Sequence, residues 1–142
     1  MWDEKWPIYT QWKKDWWEAY CKKGYFDTFT GFRCSAIMDR KQACNYPIQG
    51  SAFHCMLQCI IWLMQDSIKE NWKSLIINQI YDDLMFDLHP KEEKMVIERM
   101  RLYMTERLPE HWSWIKIPLE VEIEATPNDG SWYQKSEDNI LV

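Results

Sequence analysis

Two adjacent carboxylates, Asp82 and Asp83, lie between two short apolar runs at residues 75–77 and 84–88. The apolar runs predict the two strands of a tight β-hairpin with the acids at its tip. Like charges side by side repel each other and are costly to desolvate, so apolar residues on both sides of them favour a bound cation. A divalent-metal site is therefore the first hypothesis, and an ordinary acidic turn is its alternative.

Two helices are predicted before this hairpin. Residues 6–23 carry aromatic and apolar side chains at helical spacing, and the Gly24 that follows suits a helix C-cap. Residues 25–39 are irregular and predict a loop with a short strand pair. Pro47 suits the first turn of a second, long helix, which we expect to form the centre of the core. The apolar side chains that recur on one side of this helix are Phe53, Met56, Leu57, Ile60, Ile61, Met64 and Ile68.

The residues after the hairpin predict one more helix and one strand. Residues 90–108 mix apolar side chains with Glu and Arg, which indicates a surface helix that ends near Pro109. Residues 119–124 alternate strictly between apolar and acidic, as in a strand with one solvated face, and we expect this strand to pair beside the hairpin. The predicted fold class is α+β, with an antiparallel hairpin and a C-terminal strand packed on long α-helices. No repeat or low-complexity linker interrupts residues 1–142, so we expect a single segment without an internal boundary.

Composition excludes several classes of protein. With 142 residues, 46% hydrophobic and 15% aromatic, the chain can bury a core and does not resemble a disordered protein. Its formal charge of −5 argues against a free-standing nucleic-acid binder, which would be basic. No apolar run is long enough to cross a membrane. Five cysteines without a CxxC pair or a secretory leader indicate reduced thiols and a cytoplasmic location.

Tryptophan and cysteine are the two residue types whose placement needs an explanation. Ten tryptophans exceed what a domain of this size needs for its own core, so we expect some to face another chain. Cys55 and Cys59 are four residues apart but lack a second pair of metal ligands, which favours core thiols over a zinc site. The tryptophans of the candidate docking surface, with ordinary core as their alternative, are Trp2, Trp6, Trp12, Trp16 and Trp17.

Two runs of sequence resemble motifs of the family A, or DNA polymerase I-like, DNA polymerases. The first, Asn45-Tyr46-Pro47-Ile48-Gln49-Gly50-Ser51-Ala52, is similar to the family's Asn-x-Pro-(Val/Ile)-Gln-Gly-(Thr/Ser)-Ala. The second, Gln79-Ile80-Tyr81-Asp82-Asp83, is similar to Gln-(Val/Ile)-His-Asp-Glu. The order and spacing of the motifs also match, so the resemblance extends over nearly the whole chain. The flanking residues that resemble the family's palm region are Gly24, Tyr25, Thr28, Gly31 and Arg33, and residues 118–122 with Trp132 and Lys135.

The resemblance implies template-directed nucleotidyl transfer from dNTP to a DNA primer-template, at a centre that uses two Mg²⁺ ions. Asp82 matches the family's metal-binding aspartate. Asp83 is a shorter carboxylate at the position of the family's glutamate. The expected catalytic and metal-binding residues are therefore Asp82 and Asp83.

The resemblance also implies DNA contacts on the long helix and at the hairpin. Asn45 and Gln49 share one face of a helix that reaches both, and their amide N–H groups suit the minor-groove acceptors that all base pairs present. Helix capping is the alternative role, and it is stronger for Asn45. Lys41 keeps the charge of the family's arginine near the primer end, and Tyr81 replaces the family's histidine, which contacts the primer strand. Two further candidates, with surface solvation as their alternative, are Gln79 and Arg33.

Two parts of the family's catalytic centre are absent from this sequence. They are an earlier palm strand with a second catalytic aspartate, and a fingers helix that holds the incoming nucleotide. We therefore expect the C-terminal palm subunit of a split, phage-type polymerase, which would work in the host cytoplasm with an N-terminal polymerase chain that carries both parts. One alternative is a non-catalytic DNA-binding or assembly module that retains the polymerase fold, and another is a segment taken from a longer protein.

Overall fold

The computed structural model describes residues 2–140, and the side chains of all of these residues except Trp2, Asp3 and Asn139. Trp2, which we assigned to the candidate docking surface, is therefore outside the described side chains. The chain forms two compact units, Met1–Cys55 and Met56–Val142. No helix among the described residues is both long and apolar enough to span a bilayer.

The first unit begins with helices α1 (Trp2–Lys5) and α2 (Pro7–Lys23). Pro7 lies in the first turn of α2, where a missing N–H costs nothing because the first N–H groups have no helical acceptor. Gly24 ends the helix in the left-handed conformation, with a φ of 75°, and donates its N–H to the Tyr20 carbonyl at 2.8 Å. The predicted helix and its glycine C-cap are confirmed.

A short antiparallel strand pair follows α2, as the sequence predicted. It consists of β1 (Phe26–Asp27) and β2 (Arg33–Cys34). The core of the first unit is small and joins three elements, because it contains Tyr20 of α2, Phe26 of β1 and Ala43 of the next helix.

Helix α3 (Arg40–Glu70) begins before Pro47, so the predicted start was wrong. Asp39 and Gln42 cap the helix reciprocally. The Gln42 backbone N–H donates to Asp39 Oδ1 at 2.8 Å, and the Asp39 backbone N–H donates to Gln42 Oε1 at 3.0 Å. This pair sets the N-terminus of α3 and places Pro47 inside the helix.

The helix tolerates Pro47 because a side chain from α2 replaces the missing hydrogen bond. An interior proline leaves the carbonyl four residues earlier without its N–H donor. For Pro47 that carbonyl belongs to Ala43, and the Trp16 indole N–H donates to it at 2.9 Å. A partner this far away in sequence cannot be read from the residues around the proline.

The buried side of α3 differs from the apolar stripe predicted for it. Its most buried side chains belong to Ala43, Pro47, Ser51, Cys59 and Leu63. The helix is apolar on more than one side, so periodicity alone did not identify the packed one. The most exposed members of the predicted stripe, at 38% to 78%, are Phe53, Leu57, Ile61, Met64 and Ile68.

In the second unit, three consecutive helical segments pack on the C-terminal half of α3. They are α4 (Glu93–Arg101), a π-helical segment (Leu102–Arg107) and α5 (Leu108–His111). Arg99 joins α4 to α3 through ion pairs at 2.9 Å with Asp66 and with Glu70. The predicted surface helix therefore has one buried face, made of Val96, Ile97, Met100, Tyr103, Met104 and Leu108.

The helical stretch ends at His111, just after Pro109, where the sequence predicted its end. The π-helical segment lies just before Pro109, and irregular turns of this kind accommodate residues that break the regular hydrogen-bond ladder. The chain therefore continues past the proline for part of a turn.

The predicted hairpin is confirmed, with β3 (Leu75–Ile80) antiparallel to β4 (Asp83–Asp87). The register shifts between Ile76 and Asn78, as at a β-bulge. Together with the helices, the two small antiparallel sheets confirm the predicted α+β class.

The predicted C-terminal strand is not formed as a paired strand. Residues 119–124 do alternate between half-buried and exposed side chains, but no described residue pairs with their backbone in a ladder. A regular strand needs a neighbour for its N–H and C=O groups. In the described part of this segment, only an isolated bridge between Ala125 and Ser136 is present. Two short 3₁₀ helices follow, Trp132–Gln134 and Glu137–Asn139.

Candidate functional site

The tip of the β3–β4 hairpin is a two-residue turn made of Tyr81 and Asp82, because Ile80 pairs with Asp83. Tyr81 has a φ of 55°, and primed hairpin turns require a positive φ at this first loop position. That conformation costs an ordinary L-residue about 1–2 kcal/mol. Gln79 supports the turn, since its side-chain Nε2–H donates to the Tyr81 carbonyl at 3.1 Å.

The two carboxylates at this tip are free to bind a cation. Asp82 and Asp83 are exposed, and neither forms a side-chain hydrogen bond or an ion pair with any residue that the structure describes. Exposed carboxylate oxygens without protein partners fit the ligands that Mg²⁺ prefers. The described residues contain no group of three His, Cys, Asp or Glu side chains placed to hold a metal ion. The pair therefore fits as part of a Mg²⁺ site and not as a complete one.

The base of the hairpin is fixed by Glu92, just before α4. Its carboxylate accepts the backbone N–H of Lys73 at 3.0 Å, and the N–H and O–H of Ser74 at 2.8 and 2.7 Å. The Ser74 hydroxyl oxygen accepts the His89 N–H at 3.0 Å, which ties the exit of β4 to the entry of β3. These hydrogen bonds, led by the one from Lys73, lower the pKa of the Glu92 carboxyl.

The second set of candidate residues lies near the start of α3. Lys41, Asn45 and Gln49 are exposed and spaced four residues apart within the helix, so they form one stripe. Asp39 and Gln42 already cap this helix, which excludes the capping role considered for Asn45. Within the described part of the chain, the amides of Asn45 and Gln49 have no side-chain hydrogen-bond partner and remain available to a ligand.

A basic groove that the sequence reasoning missed contains Lys41 and Asn45. Lys13 and Lys14 of α2 face Arg40 and Lys41 of α3 across a space of about 700 Å³. The sequence signal was the adjacent lysine pair in α2, but its neighbours in α3 come from a distant part of the chain. The other residues that line this basic groove are Tyr9, Thr10 and Cys44.

Arg33, a predicted DNA contact, already has a carboxylate partner. Its Nε–H donates to Asp27 Oδ1 at 2.8 Å and its Nη2–H donates to Asp27 Oδ2 at 3.1 Å, across the β1–β2 pair. Its guanidinium also lies 4.3 Å from the centre of the Tyr25 ring. The hydrogen bond from Arg33 lowers the pKa of Asp27. A phosphate would have to share this guanidinium with Asp27.

The cysteines considered for zinc are placed as core thiols. Cys59 is fully buried and Cys55 is half-buried. Burial raises the pKa of the Cys55 thiol, so it stays protonated and is a poor metal ligand.

Comparison with known proteins identifies the family to which this chain is similar. The sequence profile of DNA polymerase family A matches residues 3–133. The chain is 36% identical over 92 residues to DNA polymerase I of Caldicellulosiruptor bescii, which covers 65% of this chain and 10% of that protein. It is 30% identical over 106 residues to DNA polymerase I of Bacillus subtilis, which covers 75% of this chain and 11% of that protein.

A phage protein is also similar. The chain is 27% identical over 104 residues to the DNA polymerase of Bacillus phage SP01, which covers 70% of this chain and 11% of that protein. The chain thus spans about a tenth of the length of the relatives it matches. No solved structure matches it.

Proposed function

The chain belongs to DNA polymerase family A, and from that premise we propose that it is the C-terminal palm part of a DNA-directed DNA polymerase. It supplies one catalytic metal-binding aspartate and contacts to the primer-template minor groove. The observation that carries this proposal is the hairpin tip, where two exposed carboxylates without protein partners follow a residue with positive φ. Strained backbone of this kind is concentrated at functional sites.

At this tip, Asp82 is the principal metal ligand and Asp83 the second, shorter one. Bound Mg²⁺ ions would stabilise the attacking and leaving oxygens of nucleotidyl transfer. The clamp from Glu92 to Ser74 holds the base of the hairpin, so the two carboxylates are presented on a supported element. Tyr81 can donate one hydrogen bond to the primer strand from its exposed position.

The stripe of Lys41, Asn45 and Gln49 binds the primer-template. The two amides donate to minor-groove acceptors that every base pair presents at nearly the same place, so binding does not depend on sequence. Lys41, one turn earlier on the same stripe, provides a cation for the phosphate backbone. Gln79 and Arg33 are secondary contacts in this scheme, because each already has a partner within its own hairpin.

The remaining catalytic parts come from outside this sequence, and we place them on a separate N-terminal polymerase chain. The second unit exposes an apolar stripe on α3, in which Leu57 is 38%, Ile61 40%, Met64 51% and Ile68 78% exposed. These residues recur at the spacing of a packed helix face, so the stripe is suited to burial against other protein.

The test is primer extension by this chain mixed with a polypeptide that carries the remaining palm and the fingers. Asp82→Ala should reduce synthesis more than about 100-fold, above the loss that follows removal of an outer-shell metal partner. Asp87→Ala is the matched control, since Asp87 is an exposed aspartate at the far end of β4. Unchanged synthesis by Asp82→Ala would mean that the chain is a non-catalytic DNA-binding or assembly module. Primer extension by the isolated chain would contradict the need for a partner.

A further inference from the structure

The first half of α2 lines two adjoining grooves that share Tyr9. One is the basic groove already described, of about 700 Å³. The other, of about 540 Å³, is lined almost entirely by apolar and aromatic side chains, and we call it the aromatic groove. Its lining residues are Lys5, Trp6, Pro7, Ile8, Tyr9 and Trp12.

The rings of the aromatic groove form an accessible platform. Tyr9 and Trp12 are stacked, with ring centroids 5.7 Å apart and planes 18° apart. Trp6 is 48% exposed and Tyr9 is 40% exposed, so both leave ring surface open to solvent. The Lys5 ammonium lies over the Trp6 ring, 5.7 Å from its centre, and the Lys13 ammonium lies over the Tyr9 ring, 4.7 Å from its centre.

The four cations of the basic groove are not neutralised by this part of the protein. None of Lys13, Lys14, Arg40 and Lys41 forms an ion pair with a carboxylate among the residues that the structure describes. Two acids adjoin these cations in sequence, Asp15 beside Lys14 and Asp39 beside Arg40. The Asp15 carboxylate accepts a hydrogen bond from Gln11, and the Asp39 carboxylate accepts a backbone N–H in the α3 cap. A concentration of four cations is unusual in a chain whose formal charge is −5.

The acids of α2 are Asp15 and Glu18. Asp15 accepts a hydrogen bond from Gln11 at 2.8 Å, and Glu18 follows on the same side, at helical spacing from both. Lys14 lies one turn before Glu18 on this side, whereas Lys13 lies on another side of α2. Both lysines line the groove, and neither forms an ion pair with these acids in the described structure. Four cations without ion pairs in one groove point to an anionic ligand there.

We propose that the two grooves together bind a single-stranded stretch of nucleic acid. Its phosphates occupy the basic groove, and its bases stack on Trp6, Tyr9 and Trp12. A positively charged track beside aromatic rings is how proteins hold single strands without reading sequence. Paired bases are already stacked within a duplex, so the aromatic groove selects an unpaired strand. The identification of this strand as the template overhang rests on the proposed function, since Lys41 and Asn45 also belong to the primer-template stripe.

The test is fluorescence anisotropy with the purified full chain and a fluorescein-labelled oligo(dT) as the probe, over a series of salt concentrations. Lys13→Ala combined with Lys14→Ala removes two phosphate contacts, so the slope of log K against log salt should decrease by about 1.4. The matched control is Lys22→Ala combined with Lys23→Ala, a second exposed pair at the far end of α2, which should leave the slope unchanged.

The aromatic groove is tested with Trp6→Ala, which should weaken oligo(dT) binding roughly 5- to 100-fold. An abasic oligonucleotide keeps the phosphates and lacks the bases, so Trp6→Ala should leave its affinity unchanged. Trp132→Ala, at an exposed tryptophan in the second unit, is the control. Far-UV circular dichroism shows whether each variant keeps the wild-type helix content.

Three results would overturn the inference. Equal affinity for oligo(dT) and the abasic probe, with full displacement by tripolyphosphate, would show a site for free polyphosphate only. Equal salt slopes for the two lysine pairs would place binding elsewhere on the chain. Loss of oligo(dT) binding when a partner polypeptide covers α2 would show a protein interface instead. If oligo(dT) binding fails while Asp82-dependent synthesis persists, only this inference is wrong. If oligo(dT) binds as expected but Asp82→Ala leaves synthesis unchanged, only the proposed function is contradicted.

Discussion

The hydrogen bond from the Trp16 indole to the Ala43 carbonyl should contribute more to stability than the extra ring volume of Trp16 does. Pro47 has removed the backbone N–H that this carbonyl would otherwise accept. Ala43 is fully buried, and the indole N–H lies 2.9 Å from its oxygen. Trp16→Phe keeps an aromatic ring and removes that N–H. The carbonyl then loses its partner in a buried place, which costs about 1–3 kcal/mol.

Trp17→Phe provides the matched control for the smaller ring. Trp17 packs beside Tyr20 with ring centroids 5.6 Å apart, and its indole has no hydrogen bond to another described residue. Its substitution therefore measures lost ring volume alone. We expect Trp16→Phe to lower the free energy of unfolding by about 1–2 kcal/mol more than Trp17→Phe does.

A double-mutant cycle with Pro47→Ala isolates the physical cause. Alanine at this position restores a backbone N–H four residues after Ala43, so the helix can satisfy that carbonyl by itself. Trp16→Phe should then cost about 1 kcal/mol less than it does beside Pro47. Urea unfolding followed by far-UV circular dichroism is the assay, because tryptophan fluorescence changes with the substitutions themselves. Additive costs in the cycle would refute the idea that Trp16 replaces the bond lost to Pro47.

Three further substitutions have defined outcomes. The hydrogen bonds to Glu92 lower its pKa. The stability that Glu92 contributes is therefore complete above the unfolded pKa and is lost as the pH falls through the folded pKa. Between about pH 7 and about pH 3, the melting temperature of Glu92→Gln should fall less than that of the wild type. Tyr81→Asn should raise the free energy of unfolding by about 0.5–1 kcal/mol, because asparagine tolerates a positive φ, while primer extension falls. Tyr103→Phe removes the O–H that Tyr103 donates to Asp66 and should cost about 1–2 kcal/mol in urea unfolding. Equal acid sensitivity of Glu92→Gln and the wild type would contradict the first expectation. A Tyr81→Asn variant less stable than the wild type would contradict the second, and an unchanged free energy of unfolding for Tyr103→Phe would contradict the third.

The elements that the sequence predicted well are those whose signals are local. Gly24 ends α2 in the left-handed conformation that a helix C-cap favours, and this preference depends on that one residue. The hairpin follows from two apolar runs and the short polar turn between them, so the positions of Asp82 and Asp83 at its tip were also predictable. A shared face for Asn45 and Gln49 follows from their spacing once the helix reaches both.

The features that the sequence did not predict depend on contacts between distant residues. Pro47 looked like a helix start because its replacement donor, Trp16, lies in another helix. The packed side of the C-terminal half of α3 was missed because contacts with α4 determine it. These contacts include the ion pairs of Arg99 with Asp66 and Glu70. The basic groove was missed for the same reason, since its cations come from two helices.

Two segments of the second unit lack the neighbour that their pattern requires. They are residues 119–124 and the apolar stripe of α3. The first has the alternating exposure of a strand without a ladder partner among the described residues, and the second has the spacing of a packed helix face without a cover. An unpaired strand and an uncovered helix face are both satisfied by added protein, the one through backbone hydrogen bonds and the other through apolar burial. Asp82 and Asp83, the carboxylates of the candidate metal site, belong to this same unit. One unit therefore combines unpaired backbone, uncovered apolar side chains and unpartnered carboxylates, and added protein could satisfy the first two of these.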